Sequence, residues 1–144
     1  MKARRLGLVL TTLGIMILFS HCAMAKKPVL KNTTWTAIQE IFVADAGTMT
    51  ITHSLVFGPA NDVRIVEKTV MPSYPAMYVN PDGSIDTIQG WSNEQEKAGK
   101  YTFGKDKLTV ILDEDGKSVE FLWKNGAFTR EELGEELTYS LREE

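Results

Sequence analysis

Residues 48–57 read Thr-Met-Thr-Ile-Thr-His-Ser-Leu-Val-Phe, and this stretch indicates the fold class. Apolar side chains occupy every second position, except that His53 takes one of their places, and small hydroxyl side chains occupy most of the others. A period of two is typical of a β-strand with one buried face. The sequence therefore predicts a strand here, with His53 on the face that points toward the core.

Similar short β-type runs, each ended by turn-forming residues, continue along the chain. Glycine, proline, asparagine and aspartate form these turns because they supply the backbone angles that tight turns need. The runs number about eight or nine, and most of the connections between them are short. The turns lie at residues 45–47, 58–62, 80–83, 104–106, 113–116 and 125–126.

Short turns make consecutive strands pair antiparallel, which predicts a meander. A meander of this length must close or fold over to cover its apolar face and its edges. The sequence therefore predicts an all-β fold, an antiparallel meander closed into a barrel, as a single domain over residues 26–144. Two short polar segments, residues 93–98 and 130–136, are candidates for turns of helix.

Residues 1–25 are predicted to be a signal peptide. Three of the first five residues are basic, and an almost wholly apolar run follows at residues 6–19. This run is shorter than the ~20 residues that span a bilayer as a helix, and a small-x-small pattern ends at Ala25. We predict cleavage after Ala25 and export to the bacterial periplasm or exterior. In the alternative, Cys22 is lipidated and anchors the protein to the outer membrane, although bulky His21 before it disfavours this route.

Charge and cysteine content limit the expected partners. The chain has 16 basic and 19 acidic residues, and loss of residues 1–25 would leave 13 basic against 19 acidic. Nucleic acids and anionic membrane surfaces are bound through clustered lysine and arginine, so neither is an expected partner. The predicted mature chain contains no cysteine, which excludes disulfides and thiol chemistry. We expect a monomer with no cofactor and no transmembrane span in the mature chain.

The placement of one tryptophan suggests a family. Trp35 opens the first predicted strand, within Asn-Thr-Thr-Trp-Thr at residues 32–36, and a later strand reads Gly-Lys-Tyr-Thr-Phe at residues 99–103. With the meander between them, these features resemble the lipocalin-like, or calycin-type, small barrels that bacteria export. The resemblance implies that Trp35 plugs one end of the barrel. It also implies that Arg142, on the last strand, packs across Trp35.

The candidate ligand-binding residues are His53 and three side chains of a proline-rich segment, residues 71–83. This segment is the longest connection in the chain and contains Tyr74, Met77 and Tyr78. Apolar walls with one or two polar groups are typical of small-molecule sites. The leading hypothesis is a non-enzymatic binding module that holds a small apolar ligand at the open end of the barrel, between His53 and these side chains. The simpler interpretation of His53 is a core histidine without a ligand.

Two further hypotheses stay open. In the first, the barrel interior is filled, and the protein is an interaction module, such as a protease inhibitor or a part of an envelope assembly, that uses the proline-rich segment and an edge strand. The second is an enzyme of unrecognised type. Its support is weak, because no serine lies in a nucleophile elbow and no glycine-rich loop precedes a helix. We predict no catalytic residue, and no metal site because His53 has no accompanying ligands at compatible spacing.

Overall fold

The computed structural model describes residues 27–143. The predicted signal peptide, its cleavage after Ala25 and the alternative lipidation of Cys22 lie outside the described residues. No helix within residues 27–143 is long and apolar enough to cross a membrane. The ten strands are β1 (Thr34–Val43), β2 (Gly47–Phe57), β3 (Asp62–Met71), β4 (Tyr74–Pro75), β5 (Thr87–Ile88), β6 (Trp91–Phe103), β7 (Lys107–Leu112), β8 (Ser118–Lys124), β9 (Ala127–Glu132) and β10 (Glu135–Leu141).

Eight of these strands close into a barrel, in the order β1-β10-β9-β8-β7-β6-β3-β2. All neighbouring strands are antiparallel, and β4 and β5 form a separate two-stranded sheet between β3 and β6. The barrel closes where Trp35 of β1 lies opposite Leu141 of β10. The predicted all-β fold and the closed antiparallel meander are confirmed.

The two candidate turns of helix are wrong. Residues 93–98 lie in β6, where Asn93 is opposite Thr69 of β3. Residues 130–136 span the end of β9, a turn at Leu133-Gly134 and the start of β10. Glutamate, glutamine and lysine favour helix by intrinsic propensity. Pairing with a neighbouring strand overrides that preference here, because strand stability depends mainly on the contacts that the neighbours supply.

The barrel has one tall wall and one short wall. The tall wall consists of β1, β2, β3 and β6, which are 10 to 13 residues long, and the short wall consists of β7 to β10, which are 6 or 7 residues long. Because β7 pairs with β6 only from Gly99 to Phe103, residues 91–97 of β6 extend beyond the short wall. We call the end where the tall wall projects the open end, and the opposite end the closed end.

Aromatic side chains fill the closed end. The Phe128 ring is fully buried, and its centroid lies 5.0 Å from that of Trp35 and 4.9 Å from that of Trp123. Phe57 and Phe103 lie 6.4 Å and 5.9 Å from Phe128 by the same measure. Most of these rings meet edge to face or tilted, which is the arrangement that aromatic pairs prefer. The closed half of the interior is therefore filled by side chains.

Trp35 and Arg142 lie at the same end of the barrel. Trp35 is buried, and its indole Nε1–H donates to Thr33 Oγ1 at 3.1 Å. The Arg142 backbone N–H donates to the Thr34 carbonyl oxygen at 2.8 Å. Within residues 27–143 the cation–π contact is made by a different arginine, Arg130, which lies over Phe121. The structure shows a small closed barrel. Membership of the lipocalin-like class stays a prediction.

Candidate functional site

The interior of the barrel changes from apolar to polar toward the open end. A cavity of about 140 Å³ lies there, between side chains from seven of the eight barrel strands. Its apolar lining consists of Ile65, Leu112 and Val119. Its polar and charged lining is larger and consists of His53, Glu67, Gln95, Lys97, Arg130, Glu132 and Tyr139.

His53 forms part of the wall of this cavity. His53 is only 7% exposed, in agreement with the inward direction that the alternation in residues 48–57 predicts. Its Nδ1 lies 3.7 Å from Glu67 Oε2, on the residue directly opposite in β3, whereas its Nε2 is buried and has no hydrogen-bond partner within residues 27–143. Burial lowers the pKa of His53 below its ordinary value of 6.5, and the nearby carboxylates of Glu67 and Glu132 oppose this effect only in part.

Arg130 and Tyr139 form another part of the wall. Arg130 Nη2 lies 3.0 Å from Glu132 Oε2, and the guanidinium carbon lies 5.6 Å from the centroid of the Phe121 ring. Burial raises the pKa of Tyr139 to about 12, which the positive charge of Arg130 offsets only partly. Tyr139 therefore keeps its hydroxyl proton at neutral pH and can donate a hydrogen bond into the cavity.

The cavity is small, and its charges balance. Lys97 and Arg130 are cationic, whereas Glu67 and Glu132 are anionic. Drug-sized ligands occupy sites of ~300–1,000 Å³, but a cavity of about 150 Å³ can hold a molecule as large as benzene. Within residues 27–143, no group of three or more metal-ligating side chains is placed to hold a metal ion. The geometry therefore suits a polar molecule of about six non-hydrogen atoms.

The sequence analysis located His53 here but missed Tyr139 and four other polar neighbours, which are Gln95, Lys97, Arg130 and Glu132. All four lie in the two segments that resemble turns of helix, so no face could be assigned to them. The signal that finds them is alternation. Gln95 and Lys97 occupy alternate, inward-facing positions of β6, and Arg130 and Glu132 occupy alternate, inward-facing positions of β9. Both pairs lie toward the open end.

The depressed pKa of His53 predicts a pH dependence of stability. The unfolded chain binds the imidazole proton more readily than the folded chain does. The buried neutral imidazole of His53 therefore contributes stability that is present above pH 6.5, the pKa in the unfolded chain. This contribution is lost as the pH falls through the lower pKa of the folded state. We expect the wild type to lose more unfolding free energy than His53→Gln between pH 7 and pH 5, by at most about 1.4 kcal/mol per pH unit. Urea unfolding of both proteins at both pH values measures this difference, and equal losses would contradict it.

The other predicted ligand-binding residues lie on a separate arm. Residues 72–90 leave the open end between β3 and β6, and within them β4 and β5 pair through Tyr74 opposite Ile88. Met77 and Tyr78 are exposed. None of these three predicted residues lines the cavity that contains His53. The structure thus separates the predicted ligand site into two sites.

The arm joins the barrel through a narrow neck at Gly90. A Cβ atom at this position would lie 2.4 Å from the backbone oxygen of Met71 and 2.6 Å from the backbone of Pro72. Only glycine fits such a close approach of two chain segments. The Gly90 N–H donates to Ser73 Oγ at 3.0 Å, which ties the two passes of the arm together at its base.

The arm and the first residue of β6 expose a concentration of large apolar side chains, which we call the arm patch. These side chains are between 42% and 78% exposed, within a segment of 15 residues from position 77 to position 91. Clustered apolar exposure of this kind is typical of a surface that contacts another molecule. The members of the arm patch are Met77, Tyr78, Val79, Ile85, Ile88 and Trp91.

One side of β6 has no partner strand beside the arm. The Tyr101 N–H donates to the Asn61 carbonyl at 2.9 Å, so the backbone groups of odd-numbered β6 residues point toward β3. The backbone groups of even-numbered β6 residues point away from β3, toward the side on which β7 lies. The Ala98 carbonyl shows this direction, because it accepts the Asp113 N–H at 3.0 Å. No strand among residues 27–143 pairs with this side of residues 91–97. The backbone groups that form this free edge belong to Ser92, Glu94 and Glu96.

Three features of the open end are thus candidates for function: the polar cavity, the arm patch and the free edge. No protein-family model, no curated protein and no solved structure matches this chain.

Proposed function

We propose that this protein is a non-enzymatic interaction module of the bacterial envelope or exterior, which receives an extended segment of another protein as an added strand on β6. The adjacency of the arm patch and the free edge along the chain supports the proposal most. The free edge begins at Ser92, directly after Trp91, the last member of the arm patch. Strand addition takes its affinity from main-chain hydrogen bonds and its specificity from side-chain contacts. The free edge supplies backbone groups for the hydrogen bonds, and the arm patch supplies the side-chain contacts.

Two glutamates of the free edge determine the chemistry of the added strand. Glu94 and Glu96 project from the outer face of the sheet, since Gln95 and Lys97 line the cavity. Opposed residues of opposite charge stabilise a strand pair. Glu96 already has an ionic partner, because Arg64 Nη1 lies 3.0 Å from its Oε2. We therefore expect the partner to place lysine or arginine opposite Glu94 and apolar residues next to the arm patch.

The same glutamates disfavour the pairing of two copies through the free edge. In an antiparallel pair, residues that turn their backbone groups toward the partner strand lie opposite one another. Glu94 or Glu96 of one copy would therefore face Glu94 or Glu96 of the other in the central registers. Charged side chains on exposed edges commonly prevent such association. The added strand is thus a different chain, and the protein alone is expected to be a monomer.

Carriage of a small apolar ligand has less support than strand addition. The closed half of the interior is filled by aromatic side chains around Phe128. The cavity in the open half is small and has seven polar or charged lining residues out of ten. The proline-rich segment, which was expected to cover an apolar ligand, does not line that cavity. An interaction module with a largely filled interior accounts for all three observations.

Selection of peptides tests the proposal. Phage that display random linear peptides of about twelve residues are selected on the immobilised protein, and the enriched peptides are measured by fluorescence anisotropy. We expect lysine or arginine beside apolar residues in these peptides. Glu94→Pro should weaken their binding at least tenfold, because it removes one N–H from the free edge and none from the pairing with β3. Met77→Ser should also weaken binding, through the arm patch.

Val29→Ser is the matched control for Met77→Ser, since Val29 is a similarly exposed apolar residue that precedes β1 at the closed end, away from the arm. It should leave peptide binding unchanged. Amide hydrogen exchange gives an independent measurement: the Ser92 and Glu94 amides should exchange faster than the Gln95 amide, and bound peptide should slow them. The absence of any enriched peptide, or equal binding to the Glu94→Pro variant, would overturn the proposal.

A further inference from the structure

An added strand on β6 would cover one side of the polar cavity. Gln95 and Lys97 line the cavity from the part of β6 that carries the free edge, and Leu112 lines it from the last residue of β7. The added strand would lie beyond Leu112, in the place where β7 stops. Residues opposite one another in a strand pair turn their side chains to the same face of the sheet. The residue of the added strand opposite Gln95 therefore points into the cavity.

This inward residue comes close to two polar side chains of β6. The backbone groups of Gln95 point toward β3, so in an antiparallel addition Gln95 and the residue opposite it form a non-hydrogen-bonded pair. Side chains approach most closely in such pairs. Lys97 is the diagonal neighbour of the same residue, at a separation that long side chains span. Gln95 and Lys97 are both exposed in the free protein, and the added strand would cover them.

Lys97 has no ionic partner in the cavity. Arg130 Nη2 lies 3.0 Å from Glu132 Oε2. Glu67 lies against the His53 ring, whose Nδ1 is 3.7 Å from Glu67 Oε2. Lys97, in contrast, makes no ion pair with the rest of the described chain. A cation that is covered without a counter-charge weakens a complex, so the strand that covers Lys97 is expected to bring a negative charge.

We infer that the cavity receives an aspartate or glutamate side chain from the residue of the added strand opposite Gln95. Its carboxylate accepts hydrogen bonds from the Lys97 ammonium and the Gln95 amide. The inference rests on the proposed addition of a strand to β6 and specifies the side chain that faces inward. The space is sufficient, because a cavity of about 150 Å³ holds benzene, this cavity measures about 140 Å³, and both acidic side chains have fewer non-hydrogen atoms than benzene.

The partner segment is thus expected to carry an acidic residue directly beside a basic one. The basic residue lies opposite Glu94 on the outer face of the sheet, and the acidic residue lies opposite Gln95 on the inner face. The acidic residue comes first in the partner sequence when the added strand is antiparallel to β6, and second when it is parallel.

Competition between two pools of displayed peptides tests the inference. Both pools contain random peptides of about twelve residues with a fixed central pair, which is Glu-Lys or Lys-Glu in the first pool and Gln-Lys or Lys-Gln in the second. Only peptides that fail to bind the Glu94→Pro variant are counted, since these use the free edge. We expect the wild-type protein to enrich the glutamate pool at least fivefold over the glutamine pool, because hydrogen bonds to charged groups are stronger than neutral ones.

Lys97→Met should abolish this preference and still allow strand addition. Position 97 is exposed, so the variant is expected to fold. Lys105→Met is the matched control in the turn between β6 and β7, away from the cavity, and should keep the preference. Equal enrichment of the two pools on the wild type, or an unchanged glutamate preference in Lys97→Met, would overturn the acidic side chain but not the strand addition. A lack of counted peptides from either pool would overturn both.

Discussion

Replacement of Phe128 by alanine should lower the free energy of unfolding by about 3–5 kcal/mol. The Phe128 ring has no exposed surface and lies at the centre of the aromatic cluster, with the Trp35 and Trp123 rings about equally close. Alanine would leave a void between rings that come from four other strands, β1, β2, β6 and β8. These strands cannot all move inward together, because hydrogen bonds hold each of them at a fixed spacing in the barrel wall.

Phe42→Ala is the matched control, since it makes the same chemical change at a phenylalanine that is 78% exposed on β1. It should cost about 1 kcal/mol or less, mainly through lost strand preference. Guanidinium unfolding followed by tryptophan fluorescence measures both variants. A cost below about 1.5 kcal/mol for Phe128→Ala, or equal costs for the two variants, would show that the closed end is not the stabilising core.

Gly99→Ala should destabilise the protein by about 3 kcal/mol, at the upper end of the usual effect of overpacking. A Cβ atom on Gly99 would lie 2.4 Å from the backbone oxygen of Ile111 and 3.1 Å from Val110 Cγ1. The oxygen belongs to β7, which pairs with β6 from Gly99 onward. Relief of the contact therefore requires β7 to move away from β6, at the place where the short wall meets the tall wall.

Gly104→Ala serves as the control for Gly99→Ala. A Cβ atom there would approach no atom closer than the Lys107 backbone oxygen at 3.7 Å, which is ordinary contact. We expect a change within about 0.5 kcal/mol, measured by the same unfolding experiment. A Gly99→Ala variant as stable as Gly104→Ala would mean that β6 and β7 are not packed as closely as the structure shows.

The two halves of the barrel differ in the side chains that they contain. The closed half supplies stability through buried aromatic rings such as Phe128. The open half carries the charged cavity, the arm patch and the free edge, which contribute little buried apolar surface. Substitutions at Glu94 or Met77 should therefore alter binding and leave the unfolding free energy nearly unchanged. This separation allows the functional proposals to be tested in folded protein.

The sequence alone was sufficient for the fold class and for the direction of His53. A strand has two faces, so the alternation in residues 48–57 assigns His53 to the same face as the apolar side chains. Short turns permit only neighbouring strands to pair, so the turn residues determine an antiparallel meander without any information from distant contacts. Both inferences use local rules, and the structure agrees with them.

Tertiary structure decided the composition of the sites. Gln95 and Lys97 face the cavity only because β6 pairs with β3, and their own sequence favours helix as readily as strand. The free edge exists because β6 extends beyond the last residue that pairs with β7, a difference in strand length that no local pattern records. Tyr74, Met77 and Tyr78 are separated from His53 because the arm pairs with itself, β4 on β5. Local alternation therefore determines which face a side chain occupies, whereas pairing between distant strands determines which side chains meet.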